Sequence, residues 1–151
     1  MTVTATRLEP PITETSGPFW EATRAHQLLL QWCTGCEKAI WYPRETCPWC
    51  MGQSLEWRPA SGEGVVYAVT VEHKSMVPSM AGLVPYTVVL VDLAEGVRML
   101  SSVVACPADE VHVGMAVAVT WEELSDGRNL PMFQPLAATS ADTHPADERE
   151  A

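Results

Sequence analysis

Apolar and polar positions change rhythm twice along this chain. Residues 1–16 are rich in Thr, Glu and Pro and show no periodicity, which predicts a mobile tail. Ser16-Gly17-Pro18 reads as a helix start. Gly17 can cap, Pro18 suits the first turn, and Glu21 favours the positive end of the dipole. A short helix over 18–25 follows. Residues 26–32 are leucine-rich and run straight into a cysteine pair, as a strand would, and Ala39-Ile40-Trp41-Tyr42 reads as a second strand that Pro43 ends.

From Gly62 onward the texture is that of a β-domain. Residues 64–71 alternate, with Val65, Tyr67, Val69 and Val71 on one face. Residues 86–93 form a nearly continuous apolar run, as expected of a strand covered on both sides. A turn at Ala94-Glu95-Gly96 leads to a third strand over 97–104, and a fourth covers 115–122. Ser125-Asp126-Gly127 turns the chain into a last strand over 130–136, which Pro131 and Pro135 make an edge. Five strands with no long helix between them predict a small β-barrel. The expected core comprises Val65, Tyr67, Val69, Val88, Leu90, Val117 and Val119. The expected divisions are a tail at 1–16, helix plus cysteine-rich unit at 17–58, barrel at 59–136, and a disordered acidic tail at 137–151.

The chain has 151 residues, enough for one compact domain or two small pieces sharing an interface. No apolar run approaches the roughly 18 residues that suggest a membrane span. The N-terminus also lacks a basic segment followed by an apolar one. Both observations point to a cytoplasmic protein with no membrane partner. The formal charge is −10, with 9 basic against 19 acidic residues. Nucleic-acid binders draw most of their affinity from Lys and Arg neutralising phosphates, so this balance argues against a nucleic-acid partner.

Four of the five cysteines fall within a short stretch: Cys33-Thr34-Gly35-Cys36 and, after ten residues, Cys47-Pro48-Trp49-Cys50. Each C-x-x-C turn presents two thiolates to one side of an ion, and two such turns complete a tetrahedral shell. Gly35 and Gly52 lie where tight turns favour glycine. A structural zinc site at Cys33, Cys36, Cys47 and Cys50 is the leading expectation. Iron, as in rubredoxin-like electron carriers, uses the same ligands. Redox chemistry at Cys47 and Cys50 would want the start of a helix in a βαβ setting, which is missing. A catalytic zinc would want an open coordination position, and four cysteines leave none. Trp32, Trp41, Tyr42, Trp49 and Trp57 lie in or beside this unit. Most serve packing, and an exposed subset would suit a partner.

No catalytic constellation emerges. Cys106 follows an apolar run and reads as a small buried hydrophobe. His26, His73, His112 and His144 are scattered. The long segment 72–85 between the first two barrel strands carries Met76, Met80 and Leu83 among Pro78, Gly82 and Pro85. It is too long for a hairpin turn and too apolar for a purely solvated loop.

Pro18-Phe19-Trp20-Glu21, Leu28-Leu29-Leu30-Gln31-Trp32-Cys33, Tyr42-Pro43-Arg44, Cys47-Pro48-Trp49-Cys50, Gly62-Glu63-Gly64-Val65-Val66-Tyr67 and Pro85-Tyr86 occur in this order. The arrangement resembles a zinc-ribbon plus OB-fold family, long catalogued as a domain of unknown function, over about residues 16–136. The resemblance implies a short N-terminal helix, a rubredoxin-like zinc ribbon and a five-stranded OB barrel. It further implies a non-catalytic subunit of a thiolase-like acyl-CoA complex that cleaves C–C bonds, such as the retro-aldolase of sterol side-chain degradation, acting as scaffold and helping to form the acyl-CoA binding channel. The implied partner is a thiolase-fold subunit in a heterotetramer, with an acyl-CoA thioester as the shared ligand. The alternatives are a subunit of an enoyl-CoA hydratase complex, an OB-fold nucleic-acid binder, or a free-standing iron electron carrier.

Overall fold

A computed structural model describes residues 8–136. Helix α1 spans Gly17–Thr23. Strands β1 (Leu29–Cys33), β2 (Lys38–Ile40) and β3 (Leu55–Pro59) form an antiparallel sheet in the order β2-β1-β3. Strands β4 (Glu63–Glu72), β5 (Tyr86–Leu93), β6 (Arg98–Ser101), β7 (Ala116–Glu123) and β8 (Asn129–Pro135) form a second sheet in the order β6-β5-β4-β7-β8. The second sheet curls until its edges meet. Val103 bridges Phe133 in parallel, the Val104 amide donates to the Phe133 carbonyl at 2.7 Å, and Ser101 Oγ donates to the Pro131 carbonyl at 2.8 Å. The architecture is mainly β, with a short helix, a ribbon and a curled OB-like barrel, as the sequence predicts. Among the described residues no helix is long and apolar enough to cross a membrane.

Two glycines permit the curl. Gly62 has φ +78°, and a Cβ there would collide with the Val119 side chain. A Cβ on Gly64 would come within 2.6 Å of the Asp92 carbonyl oxygen and Val91 Cγ1. Side chains at these two points would force β4 away from β7 and β5.

The core corrects the expected face of β4. Val66 is buried, whereas Val65 and Tyr67 are exposed. A bulge between Val66 and Ala68 breaks the simple alternation, since one strand then carries an extra residue. On β5 the buried residues are Thr87, Val89, Val91 and Leu93; Val88 and Leu90 are half-buried on the other face, where Leu90 pairs with exposed Leu100. Of the expected core, Val117 is fully buried, while Val69 and Val119 are partly buried against it. A strand apolar on both faces gives alternation nothing to select on.

Smaller differences have local causes. α1 ends at Thr23 because that side chain turns inward: its hydroxyl donates to the Trp20 carbonyl at 2.7 Å and accepts from the Asn129 amide at 3.1 Å. Glu21 lies beyond the first turn and pairs with Arg24 at 3.1 Å. β3 was not expected, because its Glu and Arg break the apolar pattern. It forms by pairing with β1 over 29–33, and Arg58 stacks on Trp32 and pairs with Glu56. The third barrel strand stops at Ser101.

Residues 8–16, expected as part of a tail, are tied to the β7–β8 turn. Glu9 accepts from the Ser125 amide and hydroxyl, both at 2.8 Å, and buried Arg128 donates to the Pro10 carbonyl at 2.8 Å. Residues 1–7 and 137–151 lie outside the described residues, and with them His144 and the acidic tail.

Candidate functional site

The four cysteines of the sequence pattern converge at one end of the three-stranded sheet. Cys33 ends β1, Cys36 follows in the β1–β2 turn, and Cys47 and Cys50 lie on the loop leading to β3. Both pairs use the same turn. The Glu37 amide donates to the Cys33 carbonyl at 2.8 Å, and the Met51 amide to the Cys47 carbonyl at 3.0 Å. The residue after each second cysteine takes a left-handed conformation, Glu37 at φ +53° and Met51 at φ +60°. The left-handed positions are therefore not the glycines. Gly52 matters for clearance instead, since a Cβ there would lie 3.3 Å from Cys50 Sγ.

All four sulfurs lie within 4.8 Å of one another, with Cys33–Cys50 at 3.5 Å and Cys36–Cys47 at 3.6 Å. A tetrahedral ion with metal–sulfur bonds of about 2.3 Å would space its ligands roughly 3.8 Å apart. The set fits such an ion with modest expansion and leaves no open position. Without a cation the four thiols would not all ionise together, because a thiol that donates to a neighbouring sulfur holds its own proton while favouring the neighbour's thiolate. Burial and the neighbouring sulfurs push Cys36 up to about 12. Burial also works to raise Cys47, but amides of Cys50 and Trp49 outweigh it and bring that thiol down to about 7. A divalent ion would remove this conflict by neutralising the thiolates.

Around the cysteines the aromatics divide. Trp32, Trp41 and Trp57 are half-buried against the core, while Tyr42 and Trp49 are exposed, Trp49 with Lys38 4.7 Å above its ring. Phe19 bridges the ribbon and the helix, 5.0 Å from Trp20 and 5.1 Å from Trp41 between ring centroids.

Between this aromatic cluster and the barrel lies a half-open groove of about 830 Å³. Pro10, Pro11, Phe19, Trp20, Trp41 and Tyr42 line it from the helix and ribbon, residues of β5, β6 and β8 line it from the barrel, and Met80 and Leu83 of the β4–β5 loop also reach it. No sequence pattern singled it out, because its lining comes from seven separated segments. The Pro-Phe-Trp helix and the apolar 72–85 segment, with Met80 and Leu83, were the available signals.

The remaining candidate chemistry disperses. His26 stacks on Trp121 at 5.7 Å, His73 is exposed, and His112 Nδ1 lies 3.0 Å from the Glu110 carbonyl. Burial, then the carboxylates of Glu110 and Asp109, push the Cys106 thiol up, the opposite of what a nucleophile needs. Among the described residues these groups assemble no nucleophile–base pair.

Fold and cysteine site together define a zinc-ribbon plus OB-fold protein. Residues 20–56 match the family model of the ChsH2 rubredoxin-like zinc ribbon domain, and residues 57–122 match that of the ChsH2 C-terminal OB-fold domain. The chain belongs to this family. It is 33% identical over 131 residues to a probable enoyl-CoA hydratase alpha subunit of Thermomonospora curvata, covering 87% of this chain and 40% of that one. It is 28% identical over 120 residues to the 3-oxo-4,17-pregnadiene-20-carboxyl-CoA hydratase alpha subunit of Mycobacterium tuberculosis, covering 79% of this chain and 37% of the other. The chain thus spans about two-fifths of the length of these two relatives. Among solved structures, the Ltp2-ChsH2(DUF35) aldolase aligns with TM-score 0.75 and 31% identity, over 84% of this chain and 98% of the aligned one.

Proposed function

We propose that this chain is a non-catalytic accessory subunit of an acyl-CoA-processing complex, pairing with a thiolase-like enzyme that cleaves a carbon–carbon bond. The observation that carries the reading is the likeness, at 31% identity over nearly the whole aligned chain, to the subunit of the Ltp2-ChsH2(DUF35) aldolase. The ribbon, the barrel and the absence of a nucleophile–base pair among the described residues are consistent with a scaffold. A zinc ion held by Cys33, Cys36, Cys47 and Cys50 would fix the ribbon, and through Trp41 and Phe19 the helix, against the barrel. The relatives that process CoA thioesters suggest such a thioester as the shared ligand, and the pregnadiene-carboxyl-CoA relative suggests sterol side-chain chemistry. The β4–β5 loop, with exposed Met76 and Leu83, would border the approach to the enzyme's active site.

A second reading has specific support, since two relatives are hydratase alpha subunits: the same chain would then serve an enoyl-CoA hydratase. Assays separate the readings. The purified chain alone should turn over no acyl-CoA, and adding it to its thiolase-like companion should raise retro-aldol cleavage. Robust turnover by the chain alone would refute the accessory role. Stimulation of hydration instead would move the chain to the hydratase.

A further inference from the structure

The groove between helix and barrel has a lining that discriminates between the two ends of a CoA thioester. Its volume, about 830 Å³, falls within the roughly 300–1,000 Å³ of small-molecule sites. Its walls are mostly apolar and aromatic: Phe19, Trp41, Leu83, Tyr86, Leu100 and Leu130 all reach it. Among the described residues no lysine or arginine lines it, and the one lining carboxylate is Glu122. The phosphates of CoA need charge-assisted donors, Arg or Lys above all. In a chain of formal charge −10, a groove whose described lining carries no cation offers them no charged partner.

Ring contacts and hydrogen bonds hold the lining on both sides. The aromatic wall is locked by the Phe19–Trp20 and Phe19–Trp41 contacts. The Pro10–Pro11 rim is pinned by the Arg128 hydrogen bond, and Arg128 itself pairs with Asp126 at 2.6 Å and lies 5.1 Å above Trp20. The opposite wall is closed barrel, where the Thr87 hydroxyl accepts from the Val103 amide at 2.9 Å. A preformed site of this kind favours a rigid occupant, which loses little freedom on binding.

We propose that this groove binds the bulky, uncharged apolar acyl group of the complex's thioester, leaving the CoA nucleotide to cationic surfaces of the enzyme subunit. The proposal rests on the accessory-subunit reading for the identity of its ligand, and on the groove's lining for its chemistry.

The test titrates the chain, alone and in complex with its enzyme subunit, with adamantane-1-carboxyl-CoA, adamantane-1-carboxamide and free CoA. Calorimetry and the fluorescence of Trp20 and Trp41 report binding. The thioester and the carboxamide should bind the chain with Kd values within tenfold of each other, and free CoA should leave the signal unchanged. Leu100 is 54% exposed, so Leu100→Glu should leave the melting temperature in place and weaken both adamantyl ligands at least tenfold. Equal binding of CoA and thioester would overturn the proposal. So would the absence of Leu100-dependent adamantyl binding in both chain and complex. Loss of assembly in Leu100→Glu with ligand binding intact would make the groove a protein–protein surface, and also overturn it. A complex that assembles and turns over without such binding sinks the groove alone. A chain that binds the adamantyl group yet assembles with no acyl-CoA enzyme sinks the accessory reading and leaves the groove standing.

Discussion

Val65 and Val66 are adjacent valines on β4 that the structure sends to opposite faces, 45% and 1% exposed. Truncating each to Ala holds backbone context and strand propensity nearly constant, so the difference between the variants isolates burial. Val66→Ala removes two buried methyl groups, about 1.6 kcal/mol at roughly 0.8 kcal/mol each. Val66 packs in the core cluster with Val89, Val91 and Val117. The void left there, if unrelaxed, adds about 1 kcal/mol at roughly 24 cal/mol per Å³. The expected loss is about 2–3 kcal/mol. Val65→Ala should cost about 0.5 kcal/mol or less from burial. Urea unfolding of both variants, with unchanged m-values, reads the difference as a shift in midpoint. Equal losses, or a larger loss at Val65, would put the even alternation back in the core and refute the bulge at Val66/Ala68.

Three further outcomes follow from the geometry. Cys47→Ser should lose most bound metal and melt well below the parent, because metal binding at such a site is folding free energy; full zinc occupancy with unchanged melting would remove the ribbon assignment. Metal analysis of the parent should give one zinc per chain and no visible absorption from iron–thiolate bonds. Asp126 accepts hydrogen bonds from the Arg128 amide and then its Nε, which hold its carboxyl below the usual 3.8 against the opposing effect of burial. A carboxyl depressed in the folded state contributes stability that is fully present above its unfolded value and is lost as pH falls through its folded value. Asp126→Asn should therefore flatten the loss of stability below about pH 4; a slope as steep as the parent's would show that Asp126 carries none of it.

What the chain disclosed about itself depended on the range of the interactions involved. The cysteine site was legible because each pair is a local turn and two ligand pairs of one type define the chemistry. Strand positions from β4 to β8 were legible because turns such as Ala94-Glu95-Gly96 are local too. The face of β4 was not, since Val65-Val66 offers apolar residues to both sides and the bulge is imposed by β5. β3 was hidden because Glu56 and Arg58 find their partners only across the sheet. The anchoring of residues 8–16 depends on contacts more than 100 residues away, such as Glu9 with Ser125. The groove was hidden for the same reason, its walls being assembled entirely by tertiary structure.

The central claim is that this chain works as one subunit of an acyl-CoA enzyme. Native mass spectrometry of the tagged chain, purified under mild conditions from its own host, tests it most directly. The account predicts a thiolase-fold enzyme as a stoichiometric companion, in a heterotetramer that retains its zinc. A chain recovered without a stoichiometric companion, or with one that acts on no CoA thioester, would contradict it.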